Sequence, residues 1–106
     1  MSQKRKKRIL AIDDEPSMTE WLKILLEHAG YEVRTALIGT RGEEFFKAWR
    51  PDAVVTDMML PDIDGIDLVR KFQQVDPEAE VIVITGQGHI PRSVEAVKAG
   101  AFAFLE

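Results

Sequence analysis

The sequence contains no cysteine, which excludes both a disulfide framework and a metal site built on thiolates. It has no apolar run close to the ~18 residues of a membrane-spanning helix, so no span is expected. It also lacks an excess of positive charge, because its formal net charge is −4. A broadly cationic surface for nucleic acid is therefore not expected. With 106 residues and no repeat or low-complexity segment, the chain has the length of one domain.

The basic residues that are present cluster at the N-terminus. Five of the fourteen lysines and arginines occupy residues 4–8. Such a run can contact nucleic acid or acidic lipid, but this one is short and adjoins an apolar stretch. We interpret residues 1–8 as a solvated basic tail, followed by one domain over residues 9–106. The apolar stretch of residues 9–12 is too short for the core of a signal peptide.

Short apolar runs alternate with amphipathic stretches along the chain. Strands are predicted over residues 9–12, 31–36, 53–56, 81–84 and 101–105. Helices are predicted over residues 17–29, 41–50, 66–75 and 91–99. Three of the strands are almost entirely apolar, which is typical of a sheet covered on both faces. The alternation predicts βαβ units and therefore an α/β fold with a parallel sheet.

Helical spacing also predicts which side chains face the core. We interpret Trp21 and Trp49 as packing residues, and expect Phe45 and Ala48 to face inward beside Trp49. His28 lies in the last turn of the first predicted helix, where a cation suits the helix dipole. This position explains His28 without any catalytic role.

Acidic residues stand where two of the predicted strands end. Asp13 and Asp14 follow the first strand, Asp57 follows the third, and Thr85 follows the fourth. Ligands of open α/β sheets bind at the carboxyl ends of the strands, so these side chains are expected to converge. Carboxylates brought together repel one another, and a divalent cation relieves that repulsion. Oxygen ligands favour Mg²⁺, with Mn²⁺ as the alternative, over Zn²⁺.

The central position of Asp57 among the strand ends suits a nucleophile. Carboxylates form acyl-phosphate intermediates, and a bound metal ion neutralises charge on a phosphoryl group during transfer. Thr85 offers a hydroxyl that can hydrogen-bond a phosphoryl oxygen. In the alternative interpretation the aspartates only cap helices and turns. That interpretation suits Asp14, which precedes a helix, but not three carboxylates and a threonine at strand ends.

The sequence resembles the receiver domain of two-component response regulators. The matching segments are residues 9–15 (ILAIDDE), 55–65 (VTDMMLPDIDG), 83–86 (VITG) and 98–101 (KAGA). The resemblance implies a flavodoxin-like, doubly wound, five-stranded parallel sheet with the order 2-1-3-4-5. It also implies a cytoplasmic signalling switch that is not an enzyme in its own right.

The resemblance implies a role for each matching position. Asp13 and Asp14 would hold Mg²⁺, together with Asp57 and the backbone carbonyl of Met59. Asp57 would accept the phosphoryl group from a sensor histidine kinase. The resemblance thus assigns to Asp57 the nucleophilic role that its position suggests.

The resemblance further implies how the phosphoryl group is sensed. Thr85 would move toward it, and Phe104 would swing inward as Thr85 moves. Residues 85–91 (TGQGHIP) resemble receivers attached to an AAA+ ATPase that activates bacterial transcription with an alternative sigma factor. An output domain, including a DNA-binding part, is then expected elsewhere on the parent chain. His89, within this loop, is interpreted as an ordinary loop residue.

Two features of the family pattern would fall beyond Glu106. The first is a lysine followed by proline, whose ammonium normally pairs with the acceptor aspartate, and the second is a fifth helix. We therefore interpret residues 9–106 as a receiver that is incomplete at its C-terminus. A missing fifth helix predicts exposed apolar surface and, through that face, a homodimer.

Two other functions compete with the switch. Phosphatases of the haloacid dehalogenase type use the same chemistry but need an Asp-x-Asp motif, and Asp57-Met58-Met59 lacks the second aspartate. An interaction module that works without phosphorylation is the alternative for this short form. Binding of Mg²⁺ and beryllofluoride would distinguish the switch from that module.

Overall fold

The computed structural model describes residues 5–85, 98–101 and 103–105, the last range for its backbone only. The strands are β1 (Arg8–Ile12), β2 (Glu32–Ala36), β3 (Ala53–Asp57), β4 (Glu80–Ile84) and β5 (Ala103–Leu105). The helices are α1 (Pro16–His28), α2 (Gly39–Trp49) and α3 (Gly65–Val75). These elements confirm the corresponding predictions to within two residues at each end. The helix predicted over residues 91–99 lies outside the described residues, except for its helical end at 98–99.

The strands form one parallel sheet in the order β2-β1-β3-β4-β5, as predicted. The chain runs outward in one direction from β1 to β2 and in the other from β3 to β5. The order therefore reverses between β1 and β3, where an open α/β sheet forms its ligand crevice. Ile12 of β1 pairs with Thr56 of β3, so the residues that follow them meet at this crevice.

Helices α2 and α3 cover one face of the sheet, over strands β1, β2 and β4. The side chains of Val54, Val81 and Val83 on this face are inaccessible to solvent. Phe46 of α2 and Phe72 of α3 stack over them, with ring centroids 4.3 Å apart and planes 18° from parallel. This face holds most of the hydrophobic core and fixes α2 and α3 relative to the strand ends.

The inward face of α2 differs from the predicted one. Ala48 is exposed and Phe45 only half-buried, whereas Phe46 is completely buried beside Trp49. The inward stripe runs through Gly42, Phe46 and Trp49, which are three and four residues apart. Gly42 has no side chain and lies against Ile12, so it gives no apolar signal in the sequence. The prediction for Ala48 was therefore wrong.

Among the described residues, α1 covers part of the other sheet face, where it packs over β1 and β2. A groove of about 520 Å³ lies between α1 and the strands, and Leu26, Val55 and Ile82 line part of it. Trp21 is 56% exposed and Leu25 48% exposed on α1. Interpreting Trp21 as a packing residue was therefore wrong, whereas the expected exposed apolar surface is present. A homodimer through this face stays a prediction.

Within the described ranges, no helix combines the length and the apolar character needed to cross a bilayer.

Candidate functional site

The predicted acidic cluster forms at the crevice between β1 and β3. Asp13 directly follows β1, and Asp57 is the last residue of β3. Asp13, Asp14 and Asp57 each place a carboxylate oxygen within 4.8 Å of the others. Parallel pairing of β1 with β3 is sufficient to bring them together, although 43 residues separate Asp14 from Asp57 (57 − 14). The predicted convergence of the three carboxylates is confirmed.

The electrostatics of this cluster disfavour three negative charges. Burial raises the pKa of Asp57, and the neighbouring charges of Asp13 and Asp14 raise it further, against the Met59 N–H, which lowers it. Burial also raises the pKa of Asp13, while a hydrogen bond of 2.9 Å from the Glu15 N–H to Oδ1 opposes that rise. A bound cation would favour the ionised form of all three carboxylates.

The donor set fits a hard divalent cation. Its three side chains all offer carboxylate oxygens, the ligands that Mg²⁺ and Ca²⁺ prefer. Oxygens on opposite sides of Mg²⁺ lie about 4.2 Å apart, twice the usual Mg–O distance. The 4.8 Å limit among Asp13, Asp14 and Asp57 is close to this spacing, so small side-chain rotations would suffice.

The other predicted site residues have different positions relative to the cluster. Thr85 follows β4 and lines the same groove as Asp13 and Asp57. Met59 exposes 70% of its surface, and its N–H donates to Asp57 Oδ1 at 3.4 Å. The backbone of Phe104 pairs with Val83, whereas its side chain lies outside the described part of the chain. His28 lies in the last turn of α1, as predicted, and His89 lies outside the described residues.

The loop from β3 to α3, residues 58–64, is held close to Asp57 by backbone contacts. The Gly65 N–H donates to the Met58 carbonyl at 2.7 Å, and Met59 forms an isolated antiparallel bridge with Asp64. Asp64 Oδ1 accepts a hydrogen bond of 2.8 Å from the Ile66 N–H and thereby caps α3. The N-terminus of α3 is thus packed against the end of the strand that carries Asp57.

This packing predicts a strong effect of adding one methyl group at Gly65. A Cβ there would lie 2.7 Å from the Asp57 carbonyl oxygen, the Met58 Cα and the Met58 carbonyl oxygen, all of them backbone atoms. We expect Gly65→Ala to lower the free energy of unfolding by about 1–3 kcal/mol, the usual cost of overpacking. Urea denaturation measures this change. Ser17→Ala, in the exposed first turn of α1, is the control, and equal midpoints for both variants would contradict the prediction.

Sequence reasoning missed one residue near the site, Asp62. Its Oδ1 accepts from the Gly39 N–H and its Oδ2 from the Thr40 N–H, both at 2.8 Å. The available signal was the N-cap of α2, where Ile38 has no side-chain acceptor. That signal shows that the N-cap residue of α2 offers no side-chain acceptor, but not which distant residue provides one.

Comparison with known proteins gives a family match over nearly the whole chain. The family model for the response regulator receiver domain matches residues 9–106 of this chain. The chemotaxis protein CheY of Thermotoga maritima is 38% identical over 100 residues, which are 93% of this chain and 83% of CheY. The C4-dicarboxylate transport transcriptional regulatory protein DctD of Pseudomonas aeruginosa is 40% identical over 101 residues, which are 93% of this chain but 21% of DctD. The chain thus matches most of CheY and about a fifth of DctD.

Solved structures that are similar to this chain are also response regulator proteins. A response regulator receiver domain protein from Clostridium thermocellum has a TM-score of 0.87 and 39% identity, over 93% of this chain and 80% of that chain. A response regulator protein from Burkholderia pseudomallei has a TM-score of 0.89 and 31% identity, over 94% of this chain and 59% of that chain. The latter structure contains a phosphorylated aspartic acid and a calcium ion.

Proposed function

The chain belongs to the response regulator receiver domain family, and we propose that it is a signalling switch in which Asp57 accepts a phosphoryl group. The observation that carries this proposal is the cluster of three carboxylates within 4.8 Å at the crevice of the sheet. Asp13, Asp14 and Asp57 would hold Mg²⁺ there with the backbone carbonyl of Met59, and Mn²⁺ is the alternative ion. The phosphorylated aspartic acid and calcium ion of the Burkholderia pseudomallei protein support the same chemistry.

The reaction is a phosphoryl transfer from a phosphohistidine to a carboxylate. An ionised oxygen of Asp57 forms a bond to phosphorus, the P–N bond of the donor breaks, and the leaving imidazole takes up a proton. Bound Mg²⁺ supplies positive charge for the phosphoryl oxygens. The Met59 N–H, already directed at Asp57 Oδ1, helps to orient the carboxylate. Thr85, at the end of β4, donates its hydroxyl hydrogen to a phosphoryl oxygen.

The consequence of transfer is a shift between two conformations. Phosphorylation favours the conformation in which Thr85 contacts the phosphoryl group and Phe104 faces inward, so a partner specific for that conformation binds more tightly. A sensor histidine kinase is the proposed donor. The proposed output is transcription, through an AAA+ ATPase and a DNA-binding part of a longer chain, since the relatives include transcriptional regulatory proteins. The cytoplasmic location and the division into a basic tail and a receiver belong to the same proposal, with the receiver beginning at Arg8, because Arg8 is the first residue of β1 and pairs with Glu32 of β2.

Incubation with Mg²⁺ and a small phosphodonor such as acetyl phosphate tests this function. We expect intact-mass spectrometry to show one added phosphoryl group, and EDTA to prevent the addition. Mg²⁺ alone should raise the free energy of unfolding by about 2.7 kcal/mol at a hundred times its Kd. A protein that shows neither stabilisation nor an adduct would refute the proposal.

An interaction module independent of phosphorylation is the second candidate. The exposed Trp21 and Leu25 beside the groove favour it, because apolar surface of this kind commonly binds another protein. The two candidates predict different effects of beryllofluoride, a mimic of the phosphoryl group, on the affinity of this chain for a partner. A partner with equal affinity in its presence and absence would favour the module, and a changed affinity would favour the switch.

A further inference from the structure

The loop of residues 58–64 is joined to a helix that lies far from it in sequence. Both carboxylate oxygens of Asp62 accept backbone N–H groups of α2, from Gly39 and Thr40, each at 2.8 Å. Asp62 and Gly39 are 23 residues apart. This contact, called here the Asp62 clasp, crosses from the loop after β3 to the first turn of α2.

The clasp provides hydrogen-bond acceptors for the first N–H groups of α2. The first N–H groups of a helix have no partner within it, and a side chain at the N-cap usually supplies one. Ile38 occupies the N-cap of α2 and has no such acceptor. Burial alone would raise the pKa of Asp62, but the N–H groups of Thr40 and Gly39 outweigh burial and hold it below its usual value. Asp62 is therefore negatively charged at neutral pH, which suits the positive end of a helix dipole.

Close packing reinforces the clasp. A Cβ on Gly39 would overlap Cγ2 of Ile63, the residue that follows Asp62. The loop thus lies directly on the α2 backbone, with space for a hydrogen atom but not for a side chain. Two independent contacts, the hydrogen bonds and this close approach, fix the loop at the same place.

The position of the clasp within the loop matters for the site. At its start, the loop is held to Asp57 by the Met59 N–H at 3.4 Å. Only Leu60 and Pro61 lie between Met59 and Asp62. The clasp therefore limits the path of the peptide group that follows Met59, whose carbonyl is the proposed fourth metal contact.

We propose that Asp62 is a positioning residue, which holds the loop against α2 so that the backbone of Met59 lies beside the acidic cluster. This inference rests on the proposed function, since it assumes that Mg²⁺ binds at the cluster. A simpler role for Asp62 would be to stabilise α2 as a helix cap. The two roles predict different results when α2 receives a cap of its own.

The test compares Asp62→Ala with the double variant Ile38→Ser/Asp62→Ala. Ile38 has extended backbone angles and is 41% exposed, so a serine there can accept an N–H of the first turn without help from the loop. We expect Asp62→Ala to raise the Kd for Mg²⁺ about tenfold, the lower end of the effect of removing a residue that orients a metal ligand. The double variant should regain the wild-type urea midpoint but keep the weakened Mg²⁺ affinity. Asp62→Asn retains one acceptor and should lie between wild type and Asp62→Ala in Mg²⁺ affinity.

Trp21 lines the groove together with Asp13 and Asp57, so tryptophan fluorescence can follow Mg²⁺ binding. Recovery of both stability and Mg²⁺ affinity in the double variant would show that Asp62 is only a cap, and would overturn the proposal. Wild-type affinity in Asp62→Ala would overturn it as well, while leaving the proposed function intact. If wild type itself bound no Mg²⁺, the proposed function would fail, and this proposal with it.

Discussion

Replacement of Asp57 by asparagine is expected to abolish phosphoryl uptake. The asparagine amide has nearly the same shape as the carboxylate but no ionised oxygen to attack phosphorus, so the acyl phosphate cannot form. Intact-mass spectrometry after incubation with Mg²⁺ and acetyl phosphate measures the result. The change should be complete, because no other residue is proposed to accept the group.

Asp67→Asn is the matched control for this loss. Asp67 is exposed on α3, where its carboxylate pairs with the Arg70 guanidinium at 3.0 Å. This variant should take up one phosphoryl group at the wild-type rate. An adduct of wild-type yield on Asp57→Asn would mean that Asp13 or Asp14 is the acceptor, and would refute the assignment of Asp57.

Asp57→Asn should be more stable than wild type at neutral pH when metal is absent, by at most about 1 kcal/mol because solvent screens the charges at this half-buried site. Burial, followed by the charges of Asp13 and Asp14, raises the pKa of Asp57 in the folded state. The folded protein therefore binds this proton more tightly than the unfolded chain does. The stability that Asp57 contributes is present below its unfolded pKa of about 3.9 and is lost as pH rises through the folded pKa.

Urea denaturation across this pH range measures the difference. The gap between Asp57→Asn and wild type should widen from about pH 4 to neutral pH, and added Mg²⁺ should close or reverse it. A gap that stays constant with pH would contradict the role assigned to burial and like charge.

The acidic cluster could be predicted from the sequence because topology alone creates it. Once the strands before Asp13 and Asp57 are recognised as neighbours in a parallel sheet, their carboxyl ends must lie side by side. No side-chain detail is needed for that step. The Asp62 clasp could not be predicted in this way, because it depends on where an irregular loop crosses α2. A pattern in the sequence gives the ends of such a loop but not its path.

The errors on the helices have a related cause. Periodicity reveals apolar side chains, and Gly42 faces inward without having one, so the predicted face of α2 was rotated away from Phe46. On α1, Trp21 has helical spacing with Leu25, and both are exposed, because no described element covers the groove that they line. Spacing identifies an apolar stripe but not whether another element covers it.

Phe46→Ala is expected to have the largest effect on stability, a loss of about 3–5 kcal/mol. Phe46 is completely buried and stacks on Phe72, which is 1% exposed, so truncation removes buried apolar area and leaves a cavity. Typical domains are stable by only about 5–15 kcal/mol, so this loss would leave a small margin. Because α2 provides the N–H groups that bind Asp62, loosening it should also weaken Mg²⁺ binding. Urea denaturation with and without Mg²⁺ measures both effects.

Phe45→Ala is the matched control, since it removes the same side chain one position away. Phe45 is half-buried at the edge of α2 and contacts the guanidinium groups of Arg41 and Arg34, 4.7 and 5.9 Å from its ring centroid. Such exposed cation–π contacts contribute about 0.5–1 kcal/mol each, so this variant should lose much less stability than Phe46→Ala. When Phe46 and Phe72 are both replaced by alanine, the loss of stability should be smaller than the sum of the two single losses. Each single variant already removes the contact between the rings, which contributes about 0.5–1.5 kcal/mol beyond its buried area. A larger loss for Phe45→Ala than for Phe46→Ala would show that α2 packs through the face that its spacing predicts, and would contradict the observed core.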